Sequence, residues 1–355
     1  MMHLDLTRPE LAINGGKPVR TLPWTDNFTT GEEEKKAVIR VLDSGYLSKF
    51  EGSYTPDPPF SFFGGPEVQA LEREWCDFYE SSHAISMNSA TSGLFAAIGA
   101  LGLGFGDEVI VSPYTMTACA LAPLIYGAIP VFADVEEATG CLDPISIKKC
   151  ISERTRAILV VHQFGIPADM VQITKIAEEH SLKIIEDCAQ AHGARIAGQP
   201  VGSFSDVSAW SFCQDKILST AGEGGMVCTN STDLWDSMWA LKDHGKTFEA
   251  VFGREHPPGF RWLHERFGSN FRLTELQSAI GRIQLEKLQQ WTAARTRNAL
   301  HLAAALKDCS AVRVPLPSES IAHAWYKFYA FVKPEALAEG WSRDRILQEI
   351  AALGY

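Results

Sequence analysis

The chain has 355 residues, 46% of them hydrophobic, with 32 basic against 43 acidic side chains for a net charge of −11. This describes a folded protein with room for one large domain and a smaller one, and it excludes a disordered chain. The acidic balance also excludes a general nucleic-acid binder, while local arginines and lysines can still meet phosphorylated small molecules.

The eight cysteines (Cys76, Cys119, Cys141, Cys150, Cys188, Cys213, Cys228 and Cys309) form no C-x-x-C pair, and several lie in apolar runs. They read as free thiols of a reducing, cytoplasmic compartment. The histidines offer no H-E-x-x-H pattern, so no metal site is expected. The opening MMHLDLTRPE lacks the apolar centre of a signal peptide. Residues 116–133 carry no charge and approach membrane-spanning length, yet Pro123, Gly127 and Pro130 interrupt them. A buried helix to Tyr126 followed by a strand over 129–133 fits better, and no membrane span is expected.

In chain order, residues 1–30 are rich in Pro, Thr and Gly and read as an arm rather than a core element. Residues 31–42 have a helical pattern opening on Glu32, Glu33 and Glu34. The proline-containing, aromatic stretch 44–65 reads as an ordered loop, either lining a site or simply packed. From Pro66 the periods alternate: helix 67–79, strand 84–87, helix 91–101, strand 108–112, helix 117–126, strand 129–133, helix 143–151, strand 157–162, helix 169–180 and strand 183–186. Such alternation predicts a mainly parallel sheet between helices, with ligands gathering beyond the carboxyl ends of its strands. Those ends are 88–92, 113–117, 162–164, 187–192 and the turn around Lys216. Helices over 233–241, 272–306 and 344–353 and a strand over 326–332 follow. The expected division is an arm over 1–30, a large domain over 31–245 and a smaller C-terminal domain over 246–355.

The stretch 205–229, SDVSAWSFCQDKILSTAGEGGMVCT, places Lys216 among small and apolar neighbours before Gly222, Gly224 and Gly225. Desolvation there would lower the amine's pKa from about 10.4 and make it a better nucleophile. Taken alone, the stretch favours a plainer reading, an exposed lysine in a hairpin loop. Two other strand ends change the balance. Asn88-Ser89-Ala90-Thr91-Ser92 opens a helix, where free N–H groups and hydroxyls suit a phosphate, although they also make an ordinary cap. Asp187 follows a strand, where a carboxylate can pair with a cationic ring nitrogen or cap a helix. A phosphate site, an acid and a desolvated lysine together are the parts that a pyridoxal phosphate enzyme needs. The run Gly102–Gly106 superficially resembles a dinucleotide loop, but it ends a helix and precedes a strand, the reverse of that fingerprint.

The segments SFCQDKILSTAGEGGMV, EDCAQAHGA, NSATSGL, GDEVIVSPYT and GSNFRLTELQSAIGRIQLEKL resemble the DegT/DnrJ/EryC1/StrS family of sugar aminotransferases, over residues 12–330. The resemblance implies the aspartate-aminotransferase fold (fold type I), an α/β large domain with a mainly parallel seven-stranded sheet between helices, plus a smaller α+β C-terminal domain. It also implies pyridoxal 5′-phosphate, held by Lys216 as a Schiff base, with Asp187 on the pyridine nitrogen and Gln190 near the ring hydroxyl. Ser211, Thr91 and Ser92 would surround the phosphate, and Asn270 would reach the cofactor of a neighbouring subunit in a homodimer. Ala90 stands where the family commonly has Gly. Met116 stands where it has an aromatic covering the ring, and a thioether can pack on a ring face. Relatives usually continue some tens of residues past the point matching Tyr355, so the small domain is expected to be short. The implied reaction takes an amino group from glutamate or glutamine to a nucleotide-linked keto-sugar. Alternatives are a keto-cyclitol acceptor of aminoglycoside-type pathways, or a silent regulator or scaffold. Lys216 speaks against the dehydratase branch, which has histidine there, and no DNA-reading module is evident. Aromatics in 46–63 with Lys246, Arg261 and Arg266 are candidate contacts for nucleotide or sugar, or ordinary solvated surface.

Overall fold

Hydrophobic period and polar caps set the elements of the structure, a computed structural model that describes residues 11–23, 29–50, 61–256 and 261–355. Helix α1 (Glu32–Ser44) opens where the Glu34 carboxylate turns back to accept the Gly31 N–H at 2.7 Å, and it stops at Gly45 with φ 73°. The alternation begins with α2 (Pro66–Tyr79), β1 (His83–Met87), α3 (Ala90–Ala100), β2 (Glu108–Val111), α4 (Ala118–Leu124) and β3 (Ile129–Phe132). It continues with α5 (Pro144–Cys150), β4 (Thr155–Val161), α6 (Met170–His180) and β5 (Lys183–Asp187). Ser89, Asp143 and Asp169 cap α3, α5 and α6 by accepting an N–H of the first turn.

After two short strands, β6 (Arg195–Ile196) and β7 (Gln199–Pro200), the hairpin β8 (Val207–Ser211) and β9 (Gly225–Thr229) completes a seven-stranded sheet. Its order is β1-β9-β8-β5-β4-β2-β3, parallel throughout except where β9 pairs antiparallel with β1 and β8. Ile and Val runs fill the central strands because both faces are covered. On one face Trp75, Tyr79, Trp210 and Phe212 pack with Ile158 and Ile184, and on the other Leu159 and Ile185 pack with Leu94, Met238 and Trp239. The chargeless stretch 116–133 folds as α4, a turn at Gly127 (φ 78°) and β3. No helix among the described residues is long and apolar enough to cross a membrane.

Two sequence expectations change. The chain falls into two compact units: the larger is Thr29–Thr296 with Pro317–Lys327, and the smaller gathers the described part of Met1–Phe28 with Arg297–Leu316 and Phe328–Tyr355. A boundary at 245/246 therefore falls inside the larger unit. Helix α7 (Thr232–Lys242) leads into residues that fold back on themselves through the bridges Asp243↔Asn270 and Lys246↔His264 and reach the sheet edge through Met87↔Arg272. Backbone stitching of this kind leaves no compositional trace. Helix α8 (Glu275–Leu306) follows.

Within the smaller unit, β10 (Val312–Arg313) is followed in the chain by β11 (Ile321–Ala322), which belongs to the larger unit and pairs with β6. The strand expected over 326–332 is only β12 (Phe331–Val332), paired with β10, and Trp325, just before the expected run, sits in the left-handed region at φ 51°. In the described part of the expected arm, the Ala12 and Ile13 N–H groups donate to the Glu349 carboxylate on α9 (Arg343–Ala352), at 3.0 Å each.

Two outcomes test this architecture. An added Cβ at Gly225 would lie 2.5–2.7 Å from main-chain atoms of Ser89 and Ala90, which cannot yield as a side-chain tip can. Gly225→Ala is expected to lose about 1–3 kcal/mol in urea unfolding, and a change under about 0.5 kcal/mol would contradict the packing. The second concerns Asp243, fully buried, whose Oδ1 accepts from Lys246 Nζ at 2.7 Å and Arg272 Nη1 at 2.5 Å. Burial pushes this carboxyl up, but the two cations outweigh it and hold the pKa below the ordinary carboxylate range. A depressed folded pKa gives stability that is present above the unfolded value of about 3.9 and lost as pH falls through the folded one. Asp243→Asn should therefore cost about 3–5 kcal/mol at pH 7, with the gap to wild type closing below about pH 4.

Candidate active site

Strand register brings three chain segments to one edge of the sheet. Asp187 ends β5 opposite Ala209, Ser211 ends β8 opposite Gly225, and Gly225 pairs with Met87, the last residue of β1. Met87 leads through Asn88 into the start of α3. There Ser89 Oγ accepts the Ser92 N–H at 3.1 Å, and Ser92 Oγ donates to Asn88 Oδ1 at 2.6 Å. As at any helix start, the first-turn amides of Ala90 and Thr91 have no intrahelical acceptor, and the helix dipole adds positive potential. Ala90 has only a methyl group to shield them. The arrangement can bind a phosphate.

Asp187 is buried, and its neighbours are neutral. Oδ1 accepts the Ala189 N–H at 2.9 Å, and Oδ2 accepts the Cys119 thiol at 3.0 Å. Burial, then the carboxylate itself, raises the Cys119 pKa well above the ordinary thiol value, so the thiol stays a neutral donor. Among the described residues Asp187 has no ion-pair partner. A buried carboxylate of this kind is completed by a cation. Beside it, His162 Nε2–H donates to Glu186 Oε2 at 2.8 Å, and its Nδ1 accepts the Ala168 N–H at 3.1 Å, which fixes the tautomer. Glu186 also accepts the N–H groups of Gly202 and Phe204. Potential ligand atoms of His162, Glu186 and Cys188 lie within 4.8 Å of one another, but hydrogen bonds already engage the imidazole and the carboxylate.

Gln190 Oε1 accepts the Phe164 N–H at 2.6 Å, which leaves its amide NH2 free to donate outward. Ser211 Oγ accepts the Cys213 N–H at 3.3 Å and keeps its own proton to give. Lys216 lies in the β8–β9 turn, whose ends are tied by Phe212 N–H to Gly224 O and Gln214 N–H to Gly222 O, both 2.8 Å. Its side chain is only 17% exposed, so the reading as an exposed hairpin lysine does not hold. Lys216 Nζ lies 3.3 Å from Tyr326 Oη and 3.4 Å from Asp215 Oδ2, and the Tyr326 hydroxyl donates to that same carboxylate oxygen.

Met116 is 64% exposed, with its sulfur accepting the Ala118 N–H at 3.2 Å. Asn270 is exposed, while its carbonyl accepts from Asn88 Nδ2 at 3.4 Å and the neighbouring Phe271 carbonyl accepts the Asn88 N–H at 2.7 Å. Lys246, considered as a ligand contact, is instead buried against Asp243, since an internal carboxylate is a stronger partner than solvent. Arg266 donates to Ser237 Oγ on α7 at 2.9 Å. Of the aromatic stretch, Phe62 is buried and Phe63 stacks on Phe252, so these two serve packing; residues 51–60 lie outside the described residues. Sequence reasoning missed Cys119, Asp215 and Tyr326. Asp215 stood beside the lysine and was open to notice, whereas nothing local marks the other two.

A sequence model of the DegT/DnrJ/EryC1/StrS aminotransferase family matches residues 60–353. The chain is 36% identical over 296 residues to the dTDP-3-amino-3,4,6-trideoxy-alpha-D-glucose transaminase of Streptomyces venezuelae, covering 83% of this chain and 71% of that one. To the L-glutamine:2-deoxy-scyllo-inosose aminotransferase of Streptomyces kanamyceticus it is 33% identical over 356 residues, covering 99% and 80%. An aminotransferase from Psychrobacter cryohalolentis superposes with a TM-score of 0.86 at 44% identity, covering 94% of this chain and 83% of that one. With a matching family model, relatives and fold, the chain belongs to the DegT/DnrJ/EryC1/StrS aminotransferase family and is an aminotransferase.

Proposed function

We propose that the chain is a cytoplasmic, pyridoxal 5′-phosphate-dependent aminotransferase that moves an amino group from glutamate or glutamine to a nucleotide-linked keto-sugar. The observation that carries this reading is the placement of Lys216 in the β8–β9 turn, at the edge where Asp187 ends β5 and α3 begins. The residues fit the cofactor: a helix start for its phosphate, a buried carboxylate lacking a cation for its ring nitrogen, and a lysine for its aldehyde. When bound, pyridoxal phosphate supplies an aldehyde that takes up the amine and a ring that withdraws electrons from the reacting carbon.

The protein's own part is positional and proton-handling. The α3 amides with Thr91, Ser92 and Ser211 grip the phosphate, and Gln190 donates its free N–H to the ring hydroxyl. Asp187 keeps the ring nitrogen protonated, because in its buried setting the carboxylate strongly favours a charged partner. Lys216 holds the aldehyde at rest. Once released, its amine takes the proton from the amino-bearing carbon of the donor, and in the second half-reaction it returns one to the former carbonyl carbon of the acceptor. With the cofactor bound, Met116 would stand beside its ring and Asn270 would reach the phosphate of the cofactor in a second subunit, so that the active unit would be a homodimer.

The acceptor class rests on the S. venezuelae relative, named for a dTDP-linked amino sugar. A keto-cyclitol acceptor is the second reading, favoured by the S. kanamyceticus enzyme, whose match spans 99% of this chain and whose name gives glutamine as donor. Nothing favours a silent regulator or scaffold.

Purified protein should be yellow, and glutamate or glutamine should bleach the visible band until a keto-sugar or keto-cyclitol restores it. A spectrum unmoved by every amino donor would refute the proposal. Lys216→Ala should lose the band and at least about 10²–10⁴ of the rate, and Asp187→Asn should lose about 10²–10³ while remaining folded by circular dichroism.

A further inference from the structure

The active-site turn carries a feature that the reaction scheme above leaves unused. Tyr326, from a segment far away in the chain, is held on the Lys216 amine by an unusually constrained piece of backbone. Trp325 adopts a left-handed conformation at φ 51°, and so does Phe164 at φ 56°, both rare for large side chains. The Ala324 N–H donates to Gly165 O at 2.9 Å, and the Lys327 N–H to Phe164 O at 3.3 Å. Arg295 on α8 donates from Nη1 to the carbonyls of Trp325 and Tyr326 at 3.2 and 3.3 Å. A Cβ on Gly165 would lie 3.0 Å from the Tyr326 nitrogen, so the two segments touch along their main chains. Strain of this kind persists where the surroundings over-determine it, and here its product is the position of one phenol.

We propose that Tyr326 and Asp215 form a cradle that positions the Lys216 amine and, in the cofactor-free chain, holds it as an ammonium group. The proposal rests on the reading of Lys216 as the cofactor-holding lysine, and it makes Tyr326 and Asp215 positioning residues for that amine. The geometry divides the hydrogen bonds without conflict. The Tyr326 hydroxyl gives its proton to Asp215, which leaves the phenol oxygen to accept from Nζ, while the carboxylate supplies the opposite charge. The Nζ also lies 4.9 Å from the centre of the Tyr326 ring, within cation–π range. Burial, reinforced by Asp215, raises the Tyr326 pKa and keeps it a donor. Burial raises Asp215 as well, but the phenol and Lys216 outweigh it, so Asp215 stays ionised.

The other groups facing this amine add little competing charge. His192 is buried behind the turn among Trp75, Trp210 and Phe212, and desolvation, with Lys216 next, lowers its pKa to about 3, so it is neutral. Cys213 is a neutral thiol directed at Glu223, 3.7 Å away, and Arg295 is occupied with main-chain carbonyls. The cradle thus sets one carboxylate and one phenol oxygen against the amine.

The test compares wild type, Tyr326→Phe, Asp215→Asn and Asp215→Glu as full-length chains freed of cofactor. Trinitrobenzenesulfonate labels the amines across pH 6 to 10, and mass spectrometry reads the extent at Lys216. Only the unprotonated amine reacts, so both Tyr326→Phe and Asp215→Asn should label Lys216 faster at pH 8, by about 3–10-fold, with the profile displaced to lower pH. Asp215→Glu keeps the carboxylate and should lie nearer wild type. In the holoenzymes the pH profile of kcat should move in the same direction. Coincident labelling profiles in wild type, Tyr326→Phe and Asp215→Asn would overturn the cradle. Asp215 lies on an exposed turn, so its variants keep the question open to refutation even if Tyr326→Phe does not fold. Borohydride trapping of added pyridoxal phosphate on a lysine other than Lys216 would instead overturn the underlying assignment, and the labelling profiles would still report on the cradle.

Discussion

The buried carboxylate of Asp187 is the constraint from which the rest of the site follows. Ionised carboxylates inside proteins cost several kcal/mol unless opposite charge or a dense set of donors surrounds them. Here one main-chain N–H and one thiol supply the donors. Among the described residues, a cation is the complement that this environment lacks. Its position is also fixed from behind, because Asp187 belongs to a parallel ladder with Val161 and Ala209, and its carbonyl accepts the His162 N–H at 3.3 Å. The His162–Glu186 pair, with the Gly202 and Phe204 amides converging on the same carboxylate, ties that end of β5 to the following turn.

Sheet topology then decides what can stand around this acid. Because β9 enters antiparallel between β1 and β8, the turn bearing Lys216 and the loop leading into α3 open on the same edge. Gly225 makes the approach feasible, since no side chain could fit between that strand and the first residues of α3. Apolar packing on both faces and the strand ladders hold Asp187, Ser211 and the start of α3 in register with one another.

Much of this was legible from the residues. Ile and Val runs separated by capped helices announced a parallel sheet, and the lysine turn, Asp187 and the NSATS segment could be joined into one site because each ends or follows a strand. The β9 strand was harder to see, since GGMVCT opens on glycines that locally read as turn. The unit boundary was missed because residues 243–272 fold back on themselves and reach the sheet through main-chain bridges, which carry no side-chain signature. Cys119 resembled any buried thiol, and its meaning comes only from packing α4 against the end of β5. Tyr326 was hidden in what read as a regular strand, because a left-handed tryptophan cannot be foreseen from an alternating pattern.

The division of labour between regular and irregular structure has a physical rationale. Asp187, Ser211 and the α3 amides sit at the ends of strands and a helix, where hydrogen-bond ladders hold them. Lys216 sits instead in a turn whose main chain is pinned at both ends. The long lysine side chain can therefore swing without dragging the backbone. A flexible cation released beside a buried acid would be drawn to it, in competition with the ring nitrogen. A second anion on the lysine's own turn, Asp215, together with the Tyr326 phenol from another element, gives the amine partners at 3.4 and 3.3 Å.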